Sequence, residues 1–118
     1  MARILLIDDD PDVRNLMSVL LKKNEHEVDT ASSKDEVYMH LNNAKPSLIL
    51  MDVLLSGADG REICREIKAD ENLKDIPVIM FSAHPSAKEK IASYGADDFL
   101  SKPLNTESLL EKVNGYLT

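Results

Sequence analysis

Cysteine is almost absent: Cys64 stands alone in 118 residues. One cysteine forms no internal disulfide and excludes a zinc site built on several thiolates. A reducing cytoplasm is the expected compartment. Glycine and proline are scarce as well, at 4 and 5 residues, too few for a low-complexity or collagen-like chain. Long hydrophobic runs are missing: the first apolar stretch, Ile4 to Ile7, stops at three aspartates. That fits neither a signal peptide nor a membrane span, so a soluble, unexported protein without a membrane partner is expected. Positive charge is the scarcer sign, with Lys+Arg 14 against Asp+Glu 21 and a net charge of -7. With no basic cluster the chain lacks the footprint that neutralises phosphates along DNA or RNA, and no direct nucleic-acid binding is expected.

What remains is 43% hydrophobic and 30% charged, the composition of one acidic globular domain spanning 1–118. Short apolar runs alternate with helical patterns at even spacing, and no linker or repeat interrupts them. The runs are Ile4 to Ile7, a weak one from Val28 to Ala31, Leu48 to Met51, Val78 to Phe81, and Phe99-Leu100. Continuous rather than alternating apolarity predicts strands covered on both faces. Between them, Val13, Leu16, Met17, Leu20 and Leu21 recur at helical spacing and predict one buried stripe. Asp10 is the expected cap of that helix, with Pro11 at its first position. Ser33 and Glu36 form a capping box before Val37 and Leu41, a third helix carries Ile63 and Ile67, and Ser86 with Glu89 forms a second box before Ile91. Asn105 is placed to cap a last helix burying Leu109, Leu110, Val113 and Leu117. The βα unit thus repeats five times. Such a string predicts an α/β fold, an open doubly wound parallel sheet rather than a barrel.

Open parallel sheets bind ligands outside the carboxyl ends of their strands. Asp8, Asp9 and Asp10 follow the first run, Asp52 the third, Ser82 and Ala83 the fourth, Lys102 and Pro103 the fifth. Carboxylates gathered there repel one another by roughly 4 kcal/mol per pair at 4 Å and an effective dielectric near 20. A divalent cation relieves this: Asp8, Asp9 and Asp52 with Lys102 and one Mg²⁺ balance to neutrality. Oxygen-only ligands in an open site favour Mg²⁺ or Mn²⁺ over zinc. Metal clamp, cation, hydroxyl donor and carboxylate nucleophile together suit phosphoryl transfer.

Asp8-Asp9 after one strand, Leu-Ile-Leu-Met-Asp ending at Asp52 with Asp59-Gly60 beyond it, Ser82-Ala83 after Pro-Val-Ile-Met-Phe, and Lys102-Pro103 resemble the receiver domain of two-component response regulators. The resemblance covers essentially the whole chain. It implies a CheY-like, flavodoxin-like fold in three α/β/α layers with strand order 2-1-3-4-5. It further implies that Asp52 is the phosphoacceptor, and that Asp8, Asp9, Asp52 and the backbone carbonyl of Leu54 hold the metal. Lys102 would pair with the phosphoryl group and Ser82 would move in to hydrogen-bond it. Phe99 falls at the family's switch aromatic, and Ala83 leaves the donor a way in. Leu54 and His84 occupy positions that tune the lifetime of the phosphoaspartate, and Lys102-Pro103 matches the family's cis peptide. A sensor histidine kinase or phosphotransfer protein is the implied donor. The implied output is a changed face of the fourth helix, fifth strand and fifth helix, read by a downstream effector protein or by an output domain missing from this chain. The resemblance implies a switch, not an enzyme beyond assisting its own phosphorylation and slow dephosphorylation.

The sequence departs from the family pattern in two places. Ser56 stands where proline is usual, and Phe99 replaces the commoner tyrosine, so no ring hydroxyl serves the switch. Asp10 and Asp12 read as a turn and helix cap; a calcium loop fails because Val13 and Val19 stand where glycine and a bidentate glutamate are needed. His26, His40 and His84 read as surface or turn residues and Cys64 as a plain helix residue. On the first helix Asn15, Ser18, Val19 and Lys22 face outward, with Val19 an isolated apolar contact for the phosphoryl donor. Asp97, Asp98 and Lys112 are candidates for charged pairs across a homodimer of the output face, the alternative to a monomer. The competing readings are a degenerate receiver that binds partners without phosphorylation, a Mg²⁺-dependent aspartyl-phosphate phosphatase, whose motif Asp12 disrupts, and a flavodoxin-like cofactor carrier, whose phosphate the aspartates would repel.

Overall fold

The computed structural model describes residues 2–55, 57–83, 91–102 and 105–117. The elements are β1 (Arg3–Ile7), α1 (Pro11–Lys23), β2 (Glu27–Ala31), α2 (Lys34–Asn43), β3 (Leu48–Asp52), a small antiparallel ribbon of β4 (Leu54–Leu55) and β5 (Ala58–Asp59), α3 (Gly60–Ala69), β6 (Val78–Ser82), a 3-10 turn (Ala92–Tyr94), β7 (Asp98–Ser101) and α4 (Thr106–Leu117). Five parallel strands form one sheet in the order β2-β1-β3-β6-β7. Setting the ribbon aside, this is the expected doubly wound order, with the first strand of the chain next to the middle and β2 and β7 at the edges.

Each apolar run serves two cores at once, because successive strand side chains point to opposite faces. Leu5, Ile7, Ile49, Met51, Val78, Met80 and Phe99 pack with Val37 and Leu41 of α2 and Ile63, Cys64 and Ile67 of α3. Ile4, Leu6, Leu48, Leu50, Ile79, Phe81 and Leu100 pack on the other side with Met17 and Leu21 of α1 and Leu109 and Val113 of α4. The result is three layers, with β1, β3 and β6 almost wholly buried. Burying one such side chain contributes about 1.5–3 kcal/mol, so the central strands are the stiffest part of the molecule.

Helix ends follow the local chemistry of the sequence. The Asp10 side chain accepts from the Asp12 N–H with Pro11 at the start of α1, and the Asn105 side chain accepts from Ser108 N–H at 3.1 Å. Ser33 caps α2 as expected, but the reciprocal half of the box differs. Glu36 accepts from the N–H and hydroxyl of Ser32 at 2.9 and 2.6 Å rather than from Ser33; its long side chain reaches the hydroxyl one residue earlier. The predicted stripe of α1 also needs correction: Leu16 is 61% exposed. The helix turns Met17 and Leu21 onto the sheet, with Val13 and Leu20 at the margin, which leaves Leu16 one step too far round. The predicted Ser86–Glu89 box lies outside the described residues, as do Ser56, His84 and Pro103.

Gly60 brings the ribbon hard against the sheet. Its N–H donates to the Val53 carbonyl at 2.7 Å, and a Cβ there would stand 2.0 Å from the Asp52 carbonyl oxygen. Only glycine fits. Gly115, inside α4, has nothing within 4 Å of the same added atom. Gly60→Ala is therefore expected to lower stability by several kcal/mol, whereas Gly115→Ala raises it by up to about 1 kcal/mol through helix propensity. Denaturant melts check both; an unaffected Gly60→Ala protein would contradict the close approach.

Candidate functional site

A parallel sheet ends all its strands on the same edge, so register decides which side chains meet. Ile7 stands beside Met51, Asp52 beside Phe81, and Ser82 beside Ser101. The residues immediately beyond or at these ends are Asp8, Asp9, Asp52, Ser82 and Lys102. Carboxylate oxygens of Asp8, Asp9 and Asp52 all lie within 4.8 Å of one another. Lys102 Nζ donates to Asp8 Oδ2 at 3.1 Å and to Asp52 Oδ2 at 3.0 Å. The same ammonium lies over the Phe81 ring, 5.2 Å from its centre, a favourable position for a cation.

Backbone donors hold the carboxylates in place. Asp8 is fully buried; its own N–H reaches the Ala31 carbonyl at 3.1 Å, and its Oδ1 accepts from Asp10 N–H at 2.9 Å. Asp52 Oδ1 accepts from Leu54 N–H at 3.3 Å. Ser82 is buried and its carbonyl accepts from the Lys102 N–H at 2.8 Å, so the hydroxyl-bearing and ammonium-bearing residues share one main-chain link. Ala83 is exposed. Leu54 is 53% exposed, an apolar side chain in solvent two residues beyond Asp52. Phe99 is buried in the core between the sheet and α2 and α3.

Burial is the largest influence on Asp52 and pushes its carboxyl up to about 6; the nearby charge of Asp8 adds to this, while Lys102 and the Leu54 N–H oppose it. Burial works against the charge of Lys102, but its hydrogen bonds to Asp52 and Asp8 and their charges outweigh that and raise its pKa. Lys102 thus bridges two of the three carboxylates gathered at this edge. The donor set is all oxygen, which suits a hard divalent ion and leaves room for water and an oxygen ligand from outside. The three aspartates can thus hold a metal ion.

Every site residue that the sequence pointed to among the described residues stands at this edge, except Phe99, which lies within the core. Two participants escaped sequence reasoning. Arg14 Nη1 donates to the Asp8 carbonyl at 2.7 Å, and Phe81 forms the floor beneath Lys102. Helical side chains lean toward the helix N-terminus, so an arginine in the first turn of α1 was placed to reach back to β1. Within this chain Lys112 meets Asp98 at 2.9 Å and Lys68 meets Asp97 at 2.8 Å, so the residues expected to pair across a homodimer have partners in their own chain. The reason is packing, since α4 crosses β7 and α3 ends beside it. His40 bonds the Thr30 carbonyl at 3.0 Å. Cys64 is buried and its thiol is pushed up to about 11 by that burial, which makes it inert.

The sequence profile of the response regulator receiver domain matches residues 4–114. The chain is 36% identical over 119 residues to the DNA-binding dual master transcriptional regulator RpaA of Synechocystis, covering 99% of this chain and 49% of that protein. It is 32% identical to Protein PilH of Pseudomonas aeruginosa, covering 99% of this chain and 98% of that protein. It thus spans about half the length of the first relative and nearly all of the second. The crystal structure of response regulator protein TrrA from Thermotoga maritima, in complex with Mg(2+)-BeF, superposes with a TM-score of 0.89 at 30% identity, covering 98% of this chain and 99% of that one. No helix among the described residues is long and apolar enough to cross a membrane.

A carboxyl held above its ordinary value binds its proton more tightly folded than unfolded, so stability is lost as pH rises between the two values. For Asp52 that window runs from 3.8 to about 6. Metal-free Asp52→Asn is expected to be more stable than wild type at pH 7.5, by on the order of 2 kcal/mol, and equal to it near pH 4. Mg²⁺ should narrow the gap at pH 7.5 by stabilising wild type. Thermal melts in chelator and in Mg²⁺ test this; identical melts of the two proteins at pH 7.5 in chelator would refute it.

Proposed function

We propose that this chain, which belongs to the response regulator receiver domain family, is a phosphorylation-dependent switch of a two-component system, with Asp52 as phosphoacceptor and Mg²⁺ at Asp8 and Asp9. The observation that carries this reading is Lys102 Nζ spanning the Asp8 and Asp52 carboxylates at 3.1 and 3.0 Å. An acid, a cation and a neighbouring acid pair so arranged have no structural necessity, and buried charge of this kind is kept for chemistry.

The carboxylates of Asp8, Asp9 and Asp52 and the Leu54 carbonyl would hold the ion. When bound, it neutralises the carboxylates and draws charge from the phosphoryl oxygens. Asp52, titrating near 6, is mostly ionised at neutral pH, and its oxygen displaces the donor group from phosphorus as the new O–P bond forms. The donor nitrogen or oxygen keeps the bonding pair. Lys102 counters the charge that grows on the phosphoryl oxygens, and the Ser82 hydroxyl donates to one of them. Phosphorylation turns one carboxylate charge into about two, which draws Ser82 and Lys102 inward, above the core position that Phe99 already occupies.

A histidine kinase or phosphotransfer protein is the proposed donor. Leu16 and Val19 of α1, 61% and 51% exposed and three residues apart, make a wider apolar contact for it than Val19 alone. The changed surface of β7, α4 and the segment preceding them selects the receiver of the signal, either a separate effector protein or an output domain such as the longer relatives have room for. The proposed setting is the cytoplasm, and the chain performs no turnover chemistry on other molecules.

Incubation with a small acyl phosphate and Mg²⁺, followed by intact mass, is expected to add one phosphoryl group, and Asp52→Asn or chelator to abolish it. No uptake would favour a degenerate receiver that binds partners unphosphorylated. Leu16→Glu with Val19→Glu should leave uptake from the small donor intact and slow transfer from the cognate kinase at least tenfold. Leu54, apolar where a polar side chain would orient the hydrolytic water, is expected to prolong the phosphoaspartate. Leu54→Asn then shortens its half-life several-fold, read by the decay of the phosphorylated mass; an unchanged half-life would remove Leu54 from this role.

A further inference from the structure

Arg14 has no part in the phosphoryl chemistry, yet its side chain reaches the centre of the site. Its guanidinium donates to the main-chain carbonyl of Asp8 at 2.7 Å. That oxygen belongs to the peptide unit joining Asp8 to Asp9. A peptide is planar, so holding its oxygen restrains the backbone from which both carboxylates project. The hydrogen-bonded register of β1 ends at Ile7, and beyond it the strand no longer orients this unit. From the other side, the Asp8 N–H is fixed to the Ala31 carbonyl at 3.1 Å. The turn is therefore gripped at both peptides flanking Asp8.

Arg14 also faces the start of α2. The Glu36 carboxyl is held below its usual range chiefly by the Ser32 hydroxyl and N–H, with the charge of Arg14 adding to the effect. Glu36 accepts those two bonds at 2.6 and 2.9 Å, so it is fixed independently of Arg14. The guanidinium thus has a carbonyl to bind and a fixed carboxylate to balance its charge. This matters because an unbalanced cation at this edge would repel a divalent ion.

We propose that Arg14 is a positioning residue for the metal site, which by pinning the Asp8–Asp9 peptide sets the spacing of the two carboxylates and so governs Mg²⁺ affinity. The inference rests on the proposed role of Asp8 and Asp9 as metal ligands. Groups that orient metal ligands commonly change affinity 10- to 100-fold when removed. A purely electrostatic role has the opposite sign, because deleting a cation would tighten Mg²⁺ binding.

The test titrates Mg²⁺ alone into wild type, Arg14→Met and Arg14→Lys, following heat and the Asp9 amide resonance, and then measures phosphoryl uptake from a small acyl phosphate against Mg²⁺ concentration. Arg14→Met is expected to weaken Mg²⁺ binding at least tenfold, with the uptake rate returning to wild type at saturating Mg²⁺. Arg14→Lys, which keeps a donor and the charge, is expected to recover most of the affinity and keeps the question open to experiment where the Met variant does not fold. Unchanged or tightened Mg²⁺ binding in Arg14→Met, a rate that stays low at saturating Mg²⁺, or a folded Lys variant as weak as Met would each overturn the assignment. If wild type itself binds no Mg²⁺, the receiver reading fails with it; if wild type binds and Arg14→Met binds equally well, only the role of Arg14 is lost.

Discussion

The bond on which the molecule turns is the ammonium of Lys102 held between the carboxylates of Asp8 and Asp52. Two buried acids at one sheet edge repel each other, and the cation that reconciles them comes from 94 and 50 residues away in the chain. The contact closes only when β1, β3 and β7 are in register. Folding therefore assembles the site, and the site in turn is a source of strain: Asp52 keeps an elevated pKa even with Lys102 in place. A protein selected for stability alone would fill this edge with apolar side chains. The retained charge leaves a site whose electrostatics change sharply with one cation or one phosphoryl group.

The sheet tolerates this because its stability is lodged elsewhere. β1, β3 and β6 each feed two cores, so the carboxyl ends can carry charge without loosening the strands below. Gly60 extends the same rigidity to the loop after Asp52. With its amide on the Val53 carbonyl and its missing side chain against the Asp52 carbonyl, the ribbon is pressed onto the strand that bears Asp52. A loop seated so closely fixes the Asp52 main chain from the solvent side, as β6 fixes it from within the sheet.

The strands, the cap of α1 and the acidic edge were legible in the sequence because each depends on short-range chemistry: runs of apolar residues, Asp10 before Pro11, aspartates directly after a strand; the strand order followed from the family resemblance. What was not legible depends on how elements are rotated and packed. Leu16 fits the helical stripe as well as Leu20 does, and only the seating of α1 on the sheet sends it to solvent. Asp98 and Lys112 read as candidates for pairing across a homodimer, and only the placing of α4 beside β7 shows that they meet within one chain. Arg14 could have been inferred from the lean of helical side chains, but its target is a main-chain carbonyl, which no residue pattern marks.

The same geometry fixes where a signal can leave the site. Lys102 is tied through its N–H to the Ser82 carbonyl, so the ammonium-bearing and hydroxyl-bearing residues are neighbours across the β6–β7 pair, not across β1 or β2. Beneath them Phe81 faces the core shared with α1 and α4, while Phe99 faces the core shared with α2 and α3. An inward pull on Ser82 and Lys102 thus acts on β6 and β7 and on the aromatic rings of both layers. The opposite side of the sheet is braced: Arg3 binds Asp29 and Glu27 across β1 and β2, and the Asp8 N–H is held by Ala31. Asp8 is thus braced by β2 and α1, while Ser82 and Lys102 are joined to each other across β6 and β7.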